Sequence, residues 1–209
     1  GSGFAKWHGA INLQRGLKDK VEMMNRLQYA LEHDAFTLMA QPVQGMRGDH
    51  YHEVLLRMHD DRGELISPDL FLPVALEFGL SSRIDLWVLE KTLQFMAANR
   101  DRMPGKRFAI NLSPSSICRA QLPGEVTRLL QTYAIEPWQL ILEITECSSF
   151  GNAGLANQIV GQLQKMGCRI AIDDFGTGYA SYARLKNVDA DILKIDGSFI
   201  RNIVSNSFD

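Results

Sequence analysis

Cysteine is scarce in this chain. Cys118, Cys147 and Cys168 are far apart and odd in number across 209 residues, and no CxxC pair occurs. Neither a disulfide framework nor a zinc ribbon is indicated, and a reducing compartment fits. A long apolar run is also missing: nothing approaches the roughly 18 residues that mark a membrane span. Charge of one sign is missing too. Lys and Arg number 22 against 24 Asp and Glu, a formal net charge of -2. No basic face advertises long nucleic acid, so an anionic ligand needs a local site made of metal ions or a few Arg and Lys. No cleavable leader is visible. The opening Gly1–Ser2–Gly3 resembles a cloning scar, so the native protein is expected to continue upstream, with a membrane anchor there left open.

What is present suits a globular core: 45% hydrophobic and 22% charged residues. Leu17, Val21, Met24, Leu27 and Leu31 recur at helical steps and predict a helix from about Leu17 to Glu32. "AFTLMAQPV" and "YHEVLLRM" read as two strands across the turn "GMRGD", an antiparallel pair. Helices follow over Pro68–Phe78, with Ser67 as N-cap, and over Ile84–Ala98. The rhythm then becomes regular. Strands Arg107–Asn111, Leu140–Ile144, Arg169–Asp173 and Asp191–Ile195 alternate with helices near Val126–Tyr133, Leu155–Met166 and Ser181–Lys186. Strand–helix alternation implies right-handed crossovers and a largely parallel α/β sheet.

An open doubly wound sheet and a (β/α) barrel both remain available. Side-chain parity favours the barrel. In "RFAIN" Ala109 and Asn111 share one face and Phe108 and Ile110 the other; in "RIAID" Ala171 and Asp173 oppose Ile170 and Ile172. One face is small or polar and the other bulky, which suits a barrel interior leading to a polar mouth.

Polar residues collect where those strands end. Glu53 and Arg57 share a face of the second strand, Asn111 ends the third, and Glu143 and Glu146 end the fourth. Asp173 and Asp174 end the fifth, and Lys194 sits late in the sixth. In parallel α/β folds these ends converge on one rim, where catalytic groups gather. So many carboxylates share a rim only if cations neutralise them or protons stay on, and hard ions such as Mg²⁺ or Mn²⁺ take such oxygen-rich sets. Any one acid alone could cap a helix or pair with an arginine; repetition on successive strands carries the metal reading. The loop "FGTG" allows a sharp turn but is no P-loop, since no GK[ST] follows. His50 and His52 form an HxH pair, yet they open their strand and so lie at the wrong end. His52 also points away from Glu53, and both are read as surface or packing residues.

These elements, in order, resemble the EAL domains, phosphodiesterases of cyclic di-GMP. "EVLLR" is similar to the ExLxR signature, "QPV" to the QPI element and "INLSP" to the Asn strand. "LEITE", "DDFGTGYASYARL" and "LKID" are similar to the E-x-T-E strand, the double-Asp loop and the Lys strand. The resemblance implies a TIM-like barrel with one reversed strand. Six strands are read here against the eight of a full barrel, which leaves two strand–helix units outside this chain. Residues 1–26 are then a junction helix and 27–209 the barrel domain. The resemblance further implies hydrolysis of cyclic di-GMP to linear pGpG with two Mg²⁺ or Mn²⁺ ions. Glu53, Asn111, Glu143, Asp173 and Asp174 would be the metal ligands. Glu146 would help to position that site, and Lys194 would orient the attacking water. Arg57 would pair with a ligand phosphate, with Gln41 beside the ligand. Val54 departs from the middle residue of the signature but points away from the site. The other readings are a receptor that binds cyclic di-GMP without cleaving it and a fragment kept for dimerisation. By analogy, the expected setting is a homodimer joined to a sensory or GGDEF domain, on the cytoplasmic side of a membrane.

Overall fold

The computed structural model describes residues 2–46, 48–145, 153–175 and 190–195; for 2–15, 145, 153, 174 and 175 it describes the backbone alone. In chain order the elements are α1 (Ser2–Glu32), β1 (Thr37–Gln44), β2 (His50–His59), β3 (Leu65–Ile66), α2 (Pro68–Glu77) and α3 (Ser81–Ala98). Then come β4 (Phe108–Leu112), α4 (Pro114–Ile117), α5 (Leu122–Tyr133), β5 (Leu140–Thr145), α6 (Ala153–Lys165), β6 (Arg169–Phe175) and β7 (Ile192–Ile195). The chain divides into two compact units, Gly1–Leu38 with Leu56–Ile84, and Met39–Leu55 with Asp85–Asp209. The helix expected near Ser181–Lys186 and the "FGTG" loop lie outside the described residues.

In the first unit α1 packs on α2. Only the C-terminal part of its apolar stripe is used: Leu27 is fully buried, while Leu17 and Val21 stay exposed. The helix starts well before the expected Leu17 and runs through residue 26 without a break. Lys20 pairs with Glu77 at 2.8 Å and Arg26 with Asp61 at 3.0 Å. Ser67 does precede α2 at the N-cap position, but its side chain makes no capping bond; Pro68, which has no N–H to satisfy, opens the helix without it. The short β3, unread in the sequence because two residues carry no period, pairs antiparallel with the end of β2.

The second unit holds the main sheet, in the order β1-β2-β4-β5-β6-β7. β1 and β2 are neighbours joined by five residues, 45–49, too few for a parallel crossover, so they run antiparallel. Pro42 is accommodated because β1 ends this order and has a side that needs no ladder donor. The pairs β2·β4, β4·β5, β5·β6 and β6·β7 are all parallel. Phe108, Ile110, Leu140, Leu142 and Ile170 are buried on one face. Buried residues Leu89, Leu93, Val126, Leu129, Ile159 and Leu163 of α3, α5 and α6 complete that apolar layer. On β7, Leu193 and Ile195 point the same way as this layer and remain about half exposed.

The other face is concave. Tyr51, Ala109, Ile141 and Ala171 form a buried cluster, with Val43 and Ile192 packed against it. Lys194 on β7 reaches Glu53 on β2 at 2.9 Å. Four strand spacings separate them, about 19 Å in a flat sheet, more than the two side chains can span. The sheet therefore curls, and the parity argument for a partial (β/α) barrel holds.

Gly167 ends α6 and turns the chain into β6. Its φ is +99°, and a Cβ there would sit 3.3 Å from Cβ of Pro137. Gly167→Ala is expected to cost about 1–2 kcal/mol, from the left-handed conformation alone. Urea unfolding followed by circular dichroism measures this; an unchanged midpoint would contradict the assignment.

Candidate functional site

Alternation along each strand builds the site on top of the apolar layer. Two residues beyond Tyr51, Ala109, Ile141, Ala171 and Ile192 come Glu53, Asn111, Glu143, Asp173 and Lys194. β1 runs the other way, so Gln41, two residues before Val43, belongs to the same level. The register agrees: Asn111 stands beside Glu143, while Asp173 stands beside Thr145, one step further out. Glu53, Asn111, Glu143, Asp173 and Lys194 thus form a single polar layer.

Glu53, Glu143 and Asp173 each offer a carboxylate oxygen, and these lie within 4.8 Å of one another. Two such charges repel by on the order of 3–4 kcal/mol at an effective dielectric constant of about 20. Lys194 answers that repulsion. Its Nζ donates to Glu143 Oε2 at 2.7 Å and Glu53 Oε2 at 2.9 Å and stands 3.4 Å from Asp173 Oδ2. Asn111 Nδ2 donates to Glu53 Oε1 at 3.1 Å.

Burial makes Glu143 the extreme case, at 1% exposure. Loss of water pushes its carboxyl up to about 7; Lys194 pulls the other way, and the charges of Glu53 and Asp173 add to the rise. For Lys194 burial acts to lower the ammonium, but its bonds to Glu143 and Glu53 outweigh this and raise it. Tyr51, beneath them, is pushed up to about 12 by burial, with Glu143 the next contributor. Glu143 Oε1 is buried with no hydrogen-bond partner among the described residues. An uncompensated carboxylate oxygen is costly. Beside two further carboxylates and an amide, it fits a hard divalent cation.

The remaining predicted residues are placed as follows. Gln41 is exposed on β1. Arg57 belongs to the first unit, where its Nη1 donates to the carbonyl of Leu56 at 2.8 Å. Asp174 has its backbone in β6 but its side chain is not among those described, and Glu146 lies outside the described residues. His52 stacks on Phe108 with ring centroids 5.3 Å apart, on the face away from Glu53, and His50 is exposed. Neither joins the acid cluster, as their position at the strand start implies. Tyr51 was not singled out, although its place two residues before Glu53 put it on the same face.

The raised Glu143 carboxyl has a pH consequence for the metal-free protein. Its folded value, about 7, lies above the ordinary 4.5. Glu143 therefore supports folding while protonated, and that contribution is lost as pH rises from about 4.5 through about 7. In chelator-treated protein, wild type should lose stability relative to Glu143→Gln across this window, as read by melting at several pH values. Parallel curves would contradict the buried, water-stripped assignment.

Comparison with known proteins agrees with this geometry. The family model of the EAL domain matches residues 24–208. The chain is 69% identical, over 96% of its length, to the cyclic di-GMP phosphodiesterase PdeF of Escherichia coli (strain K12), of which it covers 27%. It thus spans about a quarter of the curated relatives it matches. Among solved structures, the PaMucR phosphodiesterase in a cyclic di-GMP complex is 37% identical with a TM-score of 0.79, covering 89% of this chain and 76% of that one. The FimX EAL domain of Pseudomonas aeruginosa bound to cyclic di-GMP is 30% identical with a TM-score of 0.79, covering 87% and 74%. With its motifs in order on a curled sheet and the family model spanning the barrel strands, this chain belongs to the EAL domain family.

Proposed function

We propose that the chain is the hydrolytic domain of a divalent-metal-dependent phosphodiesterase that opens one phosphodiester of cyclic di-GMP to give linear pGpG. One observation carries the reading: Glu53, Glu143 and Asp173 converge within 4.8 Å, with Asn111 bonded to Glu53, on the concave face of the sheet. Relatives that carry the phosphodiesterase name, and neighbours that hold cyclic di-GMP, support it.

Glu53, Asn111, Glu143 and Asp173, with Asp174, would hold the metal. Mg²⁺ or Mn²⁺ matches an all-oxygen set, and two ions are proposed. Bound there, they supply Lewis acidity toward a phosphoryl oxygen and an acidified water at neutral pH. The protein's own groups do the rest. Glu143 and Glu53 hold the Lys194 ammonium at the centre of the site, where it can orient an attacking water and stabilise charge growing on the phosphorus oxygens. Arg57 would pair with a ligand phosphate, Gln41 would lie beside the ligand, and Glu146 would support the metal site. Tyr51 lies buried in the floor beneath these groups. By analogy with other EAL proteins, α1 is proposed as the junction to an upstream sensory or GGDEF domain. The unit would then work as a homodimer on the cytoplasmic side.

Incubation with cyclic di-GMP and Mn²⁺ or Mg²⁺, followed by chromatography of the products, should show pGpG. Glu53→Ala and Asp173→Ala should each lower turnover more than about 100-fold, beyond the upper end of what losing a ligand's hydrogen-bond partner costs. Tight binding in Ca²⁺ with no turnover in Mn²⁺ or Mg²⁺ would favour the receptor reading instead. Turnover undiminished in both variants would refute the assignment of the acids.

A further inference from the structure

Asp85 on α3 stands outside the acid cluster, yet it grips the chain just beyond Asn111. Its Oδ2 accepts from the Ser113 N–H at 2.7 Å, from Ser113 Oγ at 2.6 Å and from Ser116 Oγ at 2.6 Å. Ser113 is also the N-cap of α4: its Oγ accepts from the Ser116 N–H at 3.3 Å and lies 3.0 Å from Ser115 Oγ. The carboxyl is partly buried; burial pushes it up, against the pull of the Ser113 and Ser116 bonds. Hydrogen bonds onto a carboxylate are among the stronger ones in proteins, and three of them converge here on one oxygen.

Their place in the chain gives them a bearing on the site. The register of β4 with β2 runs from His52↔Phe108 only to Val54↔Ile110. Beyond that, Asn111 and Leu112 are paired on the β5 side alone, with Glu143 and Ile144. Asn111 is itself exposed, so packing does not hold its amide. Leu112 beyond it is buried, and the residue after that, Ser113, is in the grip of Asp85. The strand end that carries Asn111 is thus anchored on one side by β5 and ahead by this clasp.

We propose that Asp85 is a positioning residue of the metal site: by clasping Ser113 and Ser116 it fixes the end of β4, and through it sets the Asn111 amide against Glu53. This rests on the reading of Asn111 as a metal ligand. A purely structural role, tying α3 to α4, would cost stability but leave metal affinity alone.

Mn²⁺ affinity, measured by titration calorimetry and electron paramagnetic resonance with a melting curve for each protein, separates the two. Asp85→Ala should weaken Mn²⁺ binding about tenfold, the low end for losing a partner that orients a ligand. Asp85→Asn should restore most of it, because the amide oxygen still accepts. In an Asn111→Ala background Asp85→Ala should have no further effect, since both act through one group. Unchanged affinity in Asp85→Ala, or losses that simply add in the double variant, would overturn the proposal. Should Asp85→Ala fail to fold, Ser116→Ala removes one of the three bonds and carries the same test. A loss that vanishes in Asn111→Ala supports the clasp, and full affinity refutes it. A wild-type chain that binds no Mn²⁺ removes the metal-site reading itself, which is a different failure.

Discussion

Three carboxylates brought within 4.8 Å repel one another, and one of them, Glu143, has been stripped of water. Everything else at the site follows from the need to balance that charge. Lys194 meets part of it by touching all three acids. The rest shows in the raised Glu143 carboxyl and in its Oε1, buried without a hydrogen-bond partner among the described residues. A site that is under-neutralised and whose described acids offer oxygen ligands attracts hard cations in preference to others. In the proposed reaction such a site would bring a metal to the substrate's phosphate without giving the protein a net positive surface, which would let a chain of net charge -2 handle a dianionic ligand.

The curled sheet makes this arrangement possible. The floor residues Ala109 and Ala171 are small, which lets neighbouring strands bring their next inward residues close together, while Tyr51 and Ile141 fill the space between. The helices on the opposite face supply the apolar burial that holds the curvature. Stability and function are thereby separated by side-chain parity: the bulky positions of each strand pack under helices, and the alternate positions carry the chemistry. β4 shows the limit of this division. At its end the pairing thins out, and a polar clasp from α3 takes over the task of holding a functional residue in place.

Much of this was legible residue by residue. Each strand of the parallel run announced itself by β-branched residues and alternation, and the acids at their ends were conspicuous because anions at a strand end need a reason. The HxH pair opens its strand and faces away from Glu53, and in the structure His52 stacks on Phe108. Other features left no trace. The two-residue β3 has no period to detect, and α4 is too short for one. The extent of α1 went unread although Phe4, Trp7 and Ile11 recur at helical steps ahead of Leu17; Gly9 and Gly16, poor helix formers, interrupt that stretch. Asp85 carries no signal in the sequence; only the fold places Ser113 and Ser116 against it, 28 and 31 residues away.

The sequence by itself determined the order of the elements, the face each strand turns inward and the kinds of ligand atom available, because period-two alternation and side-chain chemistry are local properties of the chain. Only the tertiary structure decided that Glu53 and Lys194, 141 residues apart, share a hydrogen bond. It alone decided that Glu143 loses its water and that the end of β4 is held from α3. Those outcomes depend on sheet curvature and on packing between distant segments, and no window of sequence contains either.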